Sequence, residues 1–288
     1  MNVPLLSASR LRRALGLALT FTLGAFEVRA CTLWAAVAPN EGGTIIAKNR
    51  DWKPDHTQVL KLRRGKGYAY FGLYAVGNDE PGLKEGVNEK GLCVVTATAG
   101  SIPKAMRKAQ SSKRGGVTAM LLAKYAMCDE VLADAEKLFH GRNPIFLMIS
   151  DHTKILTLEV GLDGRFAVKV TAAGHAAHTN HFLEPALADC NLKIGESSAT
   201  RFRRISELLE AAPGPLDTAA FATMSADRYA GDSDSLWRVG KGSITLSSWI
   251  LETPAKGDMT LRVVLANPGQ PKEEKRFVLD EKFWKQHG

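Results

Sequence analysis

The chain lacks the features that define several classes of protein. It has no internal repeat, no long linker of biased composition, and no apolar run of the ~20 residues that a membrane-spanning helix needs. Neither sign of charge dominates, since 38 Lys and Arg stand against 30 Asp and Glu, for a net charge of +8. No nucleic-acid-binding motif accompanies this excess, so we expect a partner that is an anionic small molecule or an envelope surface rather than DNA or RNA.

Cysteine is also scarce, with Cys31, Cys93, Cys128 and Cys190 spread over the chain. This wide spacing excludes the clustered ligands of a zinc site and the dense bridges of a small disulfide scaffold. Cys93 lies in the apolar run 91–95, which predicts a buried core thiol. One disulfide, for example between Cys128 and Cys190, is left open.

The first thirty residues are typical of a cleavable export signal. Three arginines precede the apolar stretch Ala14–Phe26, and small residues follow at Val28 and Ala30. We therefore predict a signal peptide over 1–30 that is cleaved after Ala30. The mature protein is expected to be periplasmic or secreted, with no stable membrane anchor.

Cleavage after Ala30 would make Cys31 the new N-terminus. Its thiol and its α-amino group then lie on one residue, so a nucleophile and a base arrive together. Two other interpretations of Cys31 are a disulfide partner and a lipidated cysteine. Against lipidation, Arg29 stands at a position where lipoprotein signals usually carry a small residue.

The segment after Cys31 predicts a β-hairpin. An apolar strand over Cys31–Ala38, turn residues over 39–43 and a second strand over Thr44–Ala47 would return residues 49–51 alongside Cys31. Runs of strands interrupted by pairs of helices predict one domain over 31–288, in which antiparallel sheets pack under helices. Further strands are predicted over 58–63, 68–76, 92–97, 145–150, 154–160, 165–170, 243–251 and 259–266, and helices over 117–127, 129–139, 199–211 and 216–224.

Residues 101–116 are rich in lysine and arginine and contain little that could build a core. They predict a solvated loop, or a mobile flap whose cations meet an acidic group of a substrate.

Five short strings share an order and spacing that extend over nearly all of 31–288. They are Cys31-Thr32, KNRDW at 48–52, GVNEKGL at 86–92, HTNHF at 178–182 and TRFRR at 200–204. Together they resemble the N-terminal-nucleophile (Ntn) hydrolases of the choloylglycine hydrolase and penicillin acyltransferase type. This resemblance implies an α+β fold built as a four-layer αββα sandwich, a small acyl amide as substrate, and chemistry without a cofactor or metal.

The resemblance also implies roles for individual residues. Cys31 is the nucleophile, Asp51 orients it and its amine, Asn180 helps to form the oxyanion hole, and Arg201 matches a later arginine of the family. The chain departs from bile-salt hydrolases at Lys48, where they carry arginine. A second departure is Thr98, where they carry asparagine, so a backbone N–H near Thr98 would have to complete the oxyanion hole.

The chemistry of the residues themselves agrees with these roles. Cations at Lys48, Arg50 or Arg201 would favour a thiolate at Cys31, and a neutral amide such as Asn180 suits the oxyanion that forms on an attacked carbonyl. Lysine keeps the charge of arginine but loses its planar fork of donors. Arg50, as a cation near Cys31, and Thr98, through a backbone N–H, are additional candidates for binding the substrate or the oxyanion.

The sequence thus predicts an exported N-terminal-cysteine amidohydrolase or acyltransferase that cleaves a linear amide, either non-peptide or N-acyl amino acid, through an S-acyl enzyme. The alternatives are a related cysteine dipeptidase and a non-catalytic envelope binding protein. A homo-oligomer remains open. His175, His178 and His181 suggest a metal site, but residues three apart in extended structure point to opposite faces.

Overall fold

The computed structural model describes residues 30–38, 42–77, 79–110, 115–214 and 216–285. The predicted signal peptide, apart from Ala30, lies outside these residues. Within them the chain forms two antiparallel sheets and a set of short helices. None of the described helices is both long and apolar enough to span a membrane.

The first sheet has six strands in the order β10-β1-β2-β11-β12-β13, and each neighbouring pair is antiparallel. These strands are β1 Cys31–Val37, β2 Gly43–Trp52, β10 Gly174–His178, β11 Ile244–Pro254, β12 Met259–Leu265 and β13 Glu273–Leu279. The two longest strands, β2 and β11, lie at the centre of the sheet.

The second sheet has seven strands that neighbour one another in chain order, from β3 to β9. They are β3 Thr57–Arg63, β4 Tyr70–Val76, β5 Gly82–Asn88, β6 Cys93–Thr98, β7 Ile145–Ser150, β8 Ile155–Val160 and β9 Phe166–Thr171.

Helices cover the outer face of each sheet. The described helices are α1 Lys104–Ala109, α2 Val117–Lys124, α3 Cys128–Ala133, α4 Ala135–Phe139, α5 Glu196–Glu210, α6 Thr218–Ser225, α7 Gly231–Asp234 and α8 Glu281–Lys285, with a 3-10 helix over Pro185–Cys190. Helices α2 to α6 form the outer layers, whereas α8 and the 3-10 helix contribute Trp284 and Leu187 to the core between the sheets. Helices α2, α3 and α4 share an apolar core with the second sheet. Helices α5 and α6 share another with the first sheet.

A third core lies between the two sheets and contains Leu33, Phe146 and Trp249, all fully buried. Helix, sheet, sheet and helix are therefore stacked as four layers, and the predicted αββα sandwich is confirmed. Sheets covered on both faces explain why strands such as β7 read as unbroken apolar runs rather than alternating ones.

The predicted hairpin after Cys31 is formed by β1 and β2, although residues 39–41 of its turn lie outside the described residues. Its register pairs Cys31 with Arg50 and Leu33 with Lys48. Because strand side chains alternate between faces, these four point into the space between the sheets. Thr32 and its partner Asn49 point to the helices instead.

Several elements differ from the sequence predictions. Strands β5 and β13, helices α1, α7 and α8 and the 3-10 helix were not predicted, and the helix predicted over 129–139 is two helices, α3 and α4. The segment 101–116 is thus not simply a solvated loop. The disulfide considered between Cys128 and Cys190 is not formed, since all four cysteines are free and buried.

Candidate active site

Cys31 is the first residue of β1 and lies at the mouth of the space between the sheets. It is 8% exposed and lines a cavity of about 330 Å³. The cavity lies between the ends of β2 and β6, with α1 at its rim. Its other lining residues include Lys48, Arg50, Trp52, Lys84, Thr98 and Arg142. The thiol therefore lies where a small molecule could enter and be partly enclosed.

The backbone of Cys31 is bound on both sides. Its nitrogen donates to Asn180 Oδ1 at 2.9 Å, and its carbonyl oxygen accepts from Arg201 Nη1 at 2.7 Å. Because Ala30 still precedes Cys31, this nitrogen belongs to a peptide bond. Cleavage after Ala30 would convert it into an amine.

Asn180 follows β10 and joins three segments of the fold. Its Nδ2 donates to the carbonyl of Thr98 at 2.9 Å, and its backbone nitrogen donates to Ser198 Oγ at 2.9 Å. An amide nitrogen carries two hydrogens, and Thr98 takes one of them. The geometry thus places the predicted oxyanion donor beside Cys31. Thr98 meets it through a backbone carbonyl.

Arg201 projects from α5 and is fully buried. Besides Cys31, its Nη1 binds Thr32 Oγ1 at 2.8 Å, and its Nη2 binds Asn180 Oδ1 at 3.0 Å. Burial lowers the pKa of this guanidinium to about 10, while Asp51 acts in the opposite direction. Arg201 is therefore still a cation at neutral pH.

Asp51 follows Arg50 on β2 and points to the helical face, away from the cavity. Its Oδ1 accepts from Thr245 Oγ1 at 2.7 Å, and its Oδ2 lies 3.9 Å from Arg238 Nη1. A β-bulge in β11 at Leu246 shifts the register beside it. Burial raises the pKa of this carboxyl to about 6, against the opposing charges of Arg201 and Arg238.

Among the described residues, no hydrogen bond connects Asp51 with Cys31. The Cys31 nitrogen binds Asn180 instead. The expected role of Asp51 in orienting the amine therefore stays a prediction, one that concerns the chain after cleavage.

Lys48 lies on the cavity face of β2, and Glu85 on the opposite sheet neutralises it. Its Nζ is 2.6 Å from Glu85 Oε2 and also donates to the carbonyl of Lys84 at 3.1 Å. Both side chains of the ion pair are almost fully buried. Lys48 thus bridges the two sheets, and the expected cationic field at Cys31 has to come mainly from Arg50 and Arg201.

Arg50 is the direct cross-strand neighbour of Cys31. Its Nη2 donates to His56 Nδ1 at 2.9 Å, and its guanidinium carbon is 5.3 Å from the centre of the Trp52 ring. Burial lowers the pKa of Arg50, and the negative charge of a Cys31 thiolate would raise it.

Sequence reasoning missed the residues that hold Asn180 in place. Glu159 Oε1 binds His178 Nε2 at 2.8 Å and the backbone nitrogen of Leu183 at 2.8 Å, so it fixes both ends of the turn. Ser198 binds this turn from α5. The only signal in the sequence is a glutamate within the largely apolar strand β8.

The three histidines of the suspected metal pattern do not converge. His178 binds Glu159, His181 binds Ser198, and His175 is exposed. Burial lowers the pKa of His181 to about 4, assisted by His178 and Arg201. Within the described parts of the chain, no group of three or more potential ligands could hold a metal ion.

The basic segment contributes part of the cavity rim. Lys104, Arg107 and Lys108 on α1 line the cavity, and Lys104 pairs with Asp79 at 3.0 Å. Residues 111–114 lie outside the described residues. The segment thus brings cations to the cavity rim from a helix, and their contact with an acidic group of a substrate stays a prediction.

Comparison with known proteins gives a family and a fold. The sequence model of the acyl-coenzyme A:6-aminopenicillanic acid acyl-transferase family matches residues 38–270, which include Lys48, Asp51, Asn180 and Arg201 and begin after Cys31. A search of curated proteins found no match.

Among solved structures, the Caenorhabditis elegans N-acylethanolamine-hydrolyzing acid amidase ortholog has a TM-score of 0.54 at 15% identity, over 84% of this chain and 94% of its own. A mutant and a variant of the conjugated bile acid hydrolase from Clostridium perfringens have TM-scores of 0.45, at 12% and 14% identity, over 85% of this chain and 97% of theirs. At such identities the amidase similarity supports the fold alone.

Proposed function

Because the chain belongs to the acyl-coenzyme A:6-aminopenicillanic acid acyl-transferase family, we propose that it is an exported enzyme that uses Cys31 as an N-terminal nucleophile. The family assignment makes it an Ntn hydrolase of the amidase or acyltransferase type. The reaction is cleavage of a linear amide through an S-acyl enzyme.

One observation carries this proposal. Asn180 and Arg201 hold the nitrogen and the carbonyl of Cys31, and the side chain of Cys31 lines the cavity. A cysteine with only a packing role would not need a buried cation and an amide on its own backbone. The arrangement supports a reactive group whose position is fixed before substrate arrives.

The proposed chemistry uses the groups present at Cys31 after cleavage. The α-amine, whose ordinary pKa is about 8, takes the thiol proton as sulfur attacks the amide carbonyl. The free N–H of Asn180 stabilises the oxyanion, a contribution of about 10²–10³ in turnover. Collapse breaks the C–N bond, and the amine leaves with the proton. Water or an acceptor amine then attacks the thioester and restores the thiol.

Export-coupled cleavage fits the burial of the processed bond. Ala30 and Cys31 are both buried, so a peptidase acting from outside would have to reach the bond before this domain folds. Removal of 1–30 during translocation satisfies that order of events, because a signal peptide is cut while the chain is still unfolded.

The test combines the mass of the exported protein with turnover. The mature protein should begin at Cys31 and release amine from at least one N-acylethanolamine, N-acylglycine or dicarboxylic monoamide, whereas Cys31→Ala should release none. A different N-terminus, or full activity in Cys31→Ala, contradicts the mechanism.

The same panel, extended by dipeptides and by a calorimetric measurement of binding, separates the alternatives. Faster release from dipeptides than from acyl amides favours a cysteine dipeptidase. Binding that is equal in the mature protein and in Cys31→Ser, with no product from either, favours a binding protein.

A further inference from the structure

Arg50 holds a charged donor ready for a ligand. Its side chain is 2% exposed and lines the cavity that contains Cys31. Its Nη2 donates a hydrogen bond to His56, but no described residue accepts a hydrogen bond from its Nη1. A buried donor without a partner costs about 1–3 kcal/mol, and more when it is charged. A ligand that supplies the missing acceptor would remove this cost, so an unpaired buried donor in a cavity indicates a binding site.

The guanidinium is fixed by its neighbours. Arginine can only donate, so His56 Nδ1 is the acceptor of their bond and the imidazole is neutral. Burial lowers the pKa of His56, and the charge of Arg50 lowers it further. The Trp52 ring stacks on His56 with ring centres 5.1 Å apart. Arg50 therefore has little freedom to swing away from the cavity.

Lys84 brings a second cation to the same cavity. It is the extra residue of a β-bulge in β5, because Leu73 pairs with Glu85 and Tyr74 pairs with Leu83. Bulges redirect side chains beside active sites. The carbonyl of Lys84 is bound by Lys48 Nζ and Thr96 Oγ1, which fixes the bulge.

The charge around Lys84 is predominantly positive. Its Nζ donates to the backbone carbonyl of Glu80 at 2.7 Å. Burial lowers its pKa to about 8, and Arg50 and Lys48 lower it further, while Glu80 and Glu85 oppose them. Of the described residues that line the cavity, Glu80 is the acidic one.

The register of β1 and β2 places the backbone of Arg50 beside that of the nucleophile. Cys31 and Arg50 are direct partners on one face, so their Cα atoms are about 4.5–5.5 Å apart. Both side chains also line the cavity of about 330 Å³, so an anion bound to Arg50 shares that small space with the carbonyl that the Cys31 sulfur attacks. One free nitrogen on Arg50 and one ammonium match the two oxygens of a carboxylate.

On the basis of the proposed function, we propose that Arg50 and Lys84 form a carboxylate subsite, and that the substrate is an acyl amide with a carboxylate within a few bonds of the scissile carbonyl. The carboxylate has two possible sources. It belongs to the leaving amine, as in an N-acyl amino acid, or to the acyl group, as in a monoamide of a short dicarboxylic acid.

Binding to the Cys31→Ala protein tests the subsite without requiring turnover. One probe pair is an N-acylglycine and the N-acylethanolamine with the same acyl chain, which differ by carboxylate against hydroxymethyl. The other pair is a glutaryl monoamide and the matching pentanoyl amide. We expect at least one anionic probe to bind tenfold or more tightly than its neutral partner in calorimetry. The pair that shows the preference identifies which side carries the carboxylate.

The preference should fall to about one in Cys31→Ala/Arg50→Gln. Lys84→Met, at a half-buried position, gives a second variant should Arg50→Gln fail to fold, and it should reduce the preference at least threefold. Equal binding of anionic and neutral probes, or a preference that survives both substitutions, overturns the subsite. Loss of turnover in the mature protein with the preference intact would instead count against the proposed function alone.

Discussion

Arg201 and Asn180 are joined by a hydrogen bond of 3.0 Å from the guanidinium Nη2 to the amide Oδ1. The same oxygen also accepts a hydrogen bond from the backbone nitrogen of Cys31. Since both partners can only donate, the oxygen end of the amide must face them and the nitrogen end must face Thr98, at the cavity wall. Arg201 therefore decides which end of Asn180 can meet an oxyanion.

Replacing Arg201 by lysine should separate orientation from charge. Arg201→Lys keeps the cation but loses the fork that reaches Cys31 and Asn180 together. We expect kcat on a turned-over acyl amide to fall about 10²-fold or more, as for loss of an oxyanion donor, with KM changed less than threefold. A kcat within twofold of wild type would contradict this positioning role.

Arg204→Lys is the matched control for that measurement. Arg204 lies on the same helix, and its half-buried side chain pairs with Asp227 and Glu207 rather than with the Cys31 backbone. Its replacement should leave both kcat and KM near their wild-type values.

The ion pair between Lys48 and Glu85 should contribute measurably to the free energy of unfolding. Lys48→Met leaves the Glu85 carboxylate buried without its partner, which typically costs about 3–5 kcal/mol. Adding Glu85→Leu removes the stranded charge, so the double variant should recover most of the loss. Urea unfolding of the wild type, both single variants and the double variant measures the coupling. A double variant no more stable than Lys48→Met would contradict the account.

The sequence predicted much of the fold because most of its signals are local. The hairpin of β1 and β2 follows from two apolar runs around a turn, and it already places Arg50 near Cys31. Strand β5 was missed because Lys84 and Glu85 make it read as a polar turn, although Glu85 is buried in the ion pair to Lys48. A charged residue that pairs with a partner on the other sheet interrupts the apolar pattern by which its own strand would be recognised.

The edge strand β13 was missed for a related reason. Most of its exposed side chains are charged, and Glu274 pairs with Arg262 on the neighbouring strand. Such charges protect a sheet edge from pairing with other chains, yet they erase the apolar pattern that identifies a strand. The partners of Cys31 are a different case. Asn180 and Arg201 are 149 and 170 positions away, so only the family resemblance linked them beforehand.

Thiol reactivity should distinguish Cys31 from the other cysteines. Cys93, Cys128 and Cys190 are fully buried and do not line the cavity, and burial raises the pKa of the Cys93 and Cys128 thiols. Iodoacetamide at neutral pH should therefore add one carboxamidomethyl group to the native protein, located at Cys31 by peptide mapping. Cys31→Ala should remain unmodified under the same conditions. Modification of Cys93 or Cys128 in the folded protein would contradict the prediction, because it would show that the apolar cores around them open to the reagent.

Asp51 should give the chain that retains Ala30 an unusual dependence of stability on pH. Its folded pKa is about 6 and its ordinary value is 3.8. The protonated carboxyl favours the fold, so this contribution is complete below pH 4, declines as pH rises, and is lost above about 6. The two-unit difference corresponds to about 3 kcal/mol.

The free energy of unfolding of wild type minus that of Asp51→Asn isolates this group, because the other carboxyls cancel. Measured by urea unfolding, the difference should fall by about 3 kcal/mol between pH 4 and 7. Asp258→Asn, at an exposed position, is the matched control and should change stability by less than about 0.5 kcal/mol throughout. A difference that rises with pH would mean that Arg201 and Arg238 outweigh burial, and that Asp51 is a stabilising anion already before cleavage.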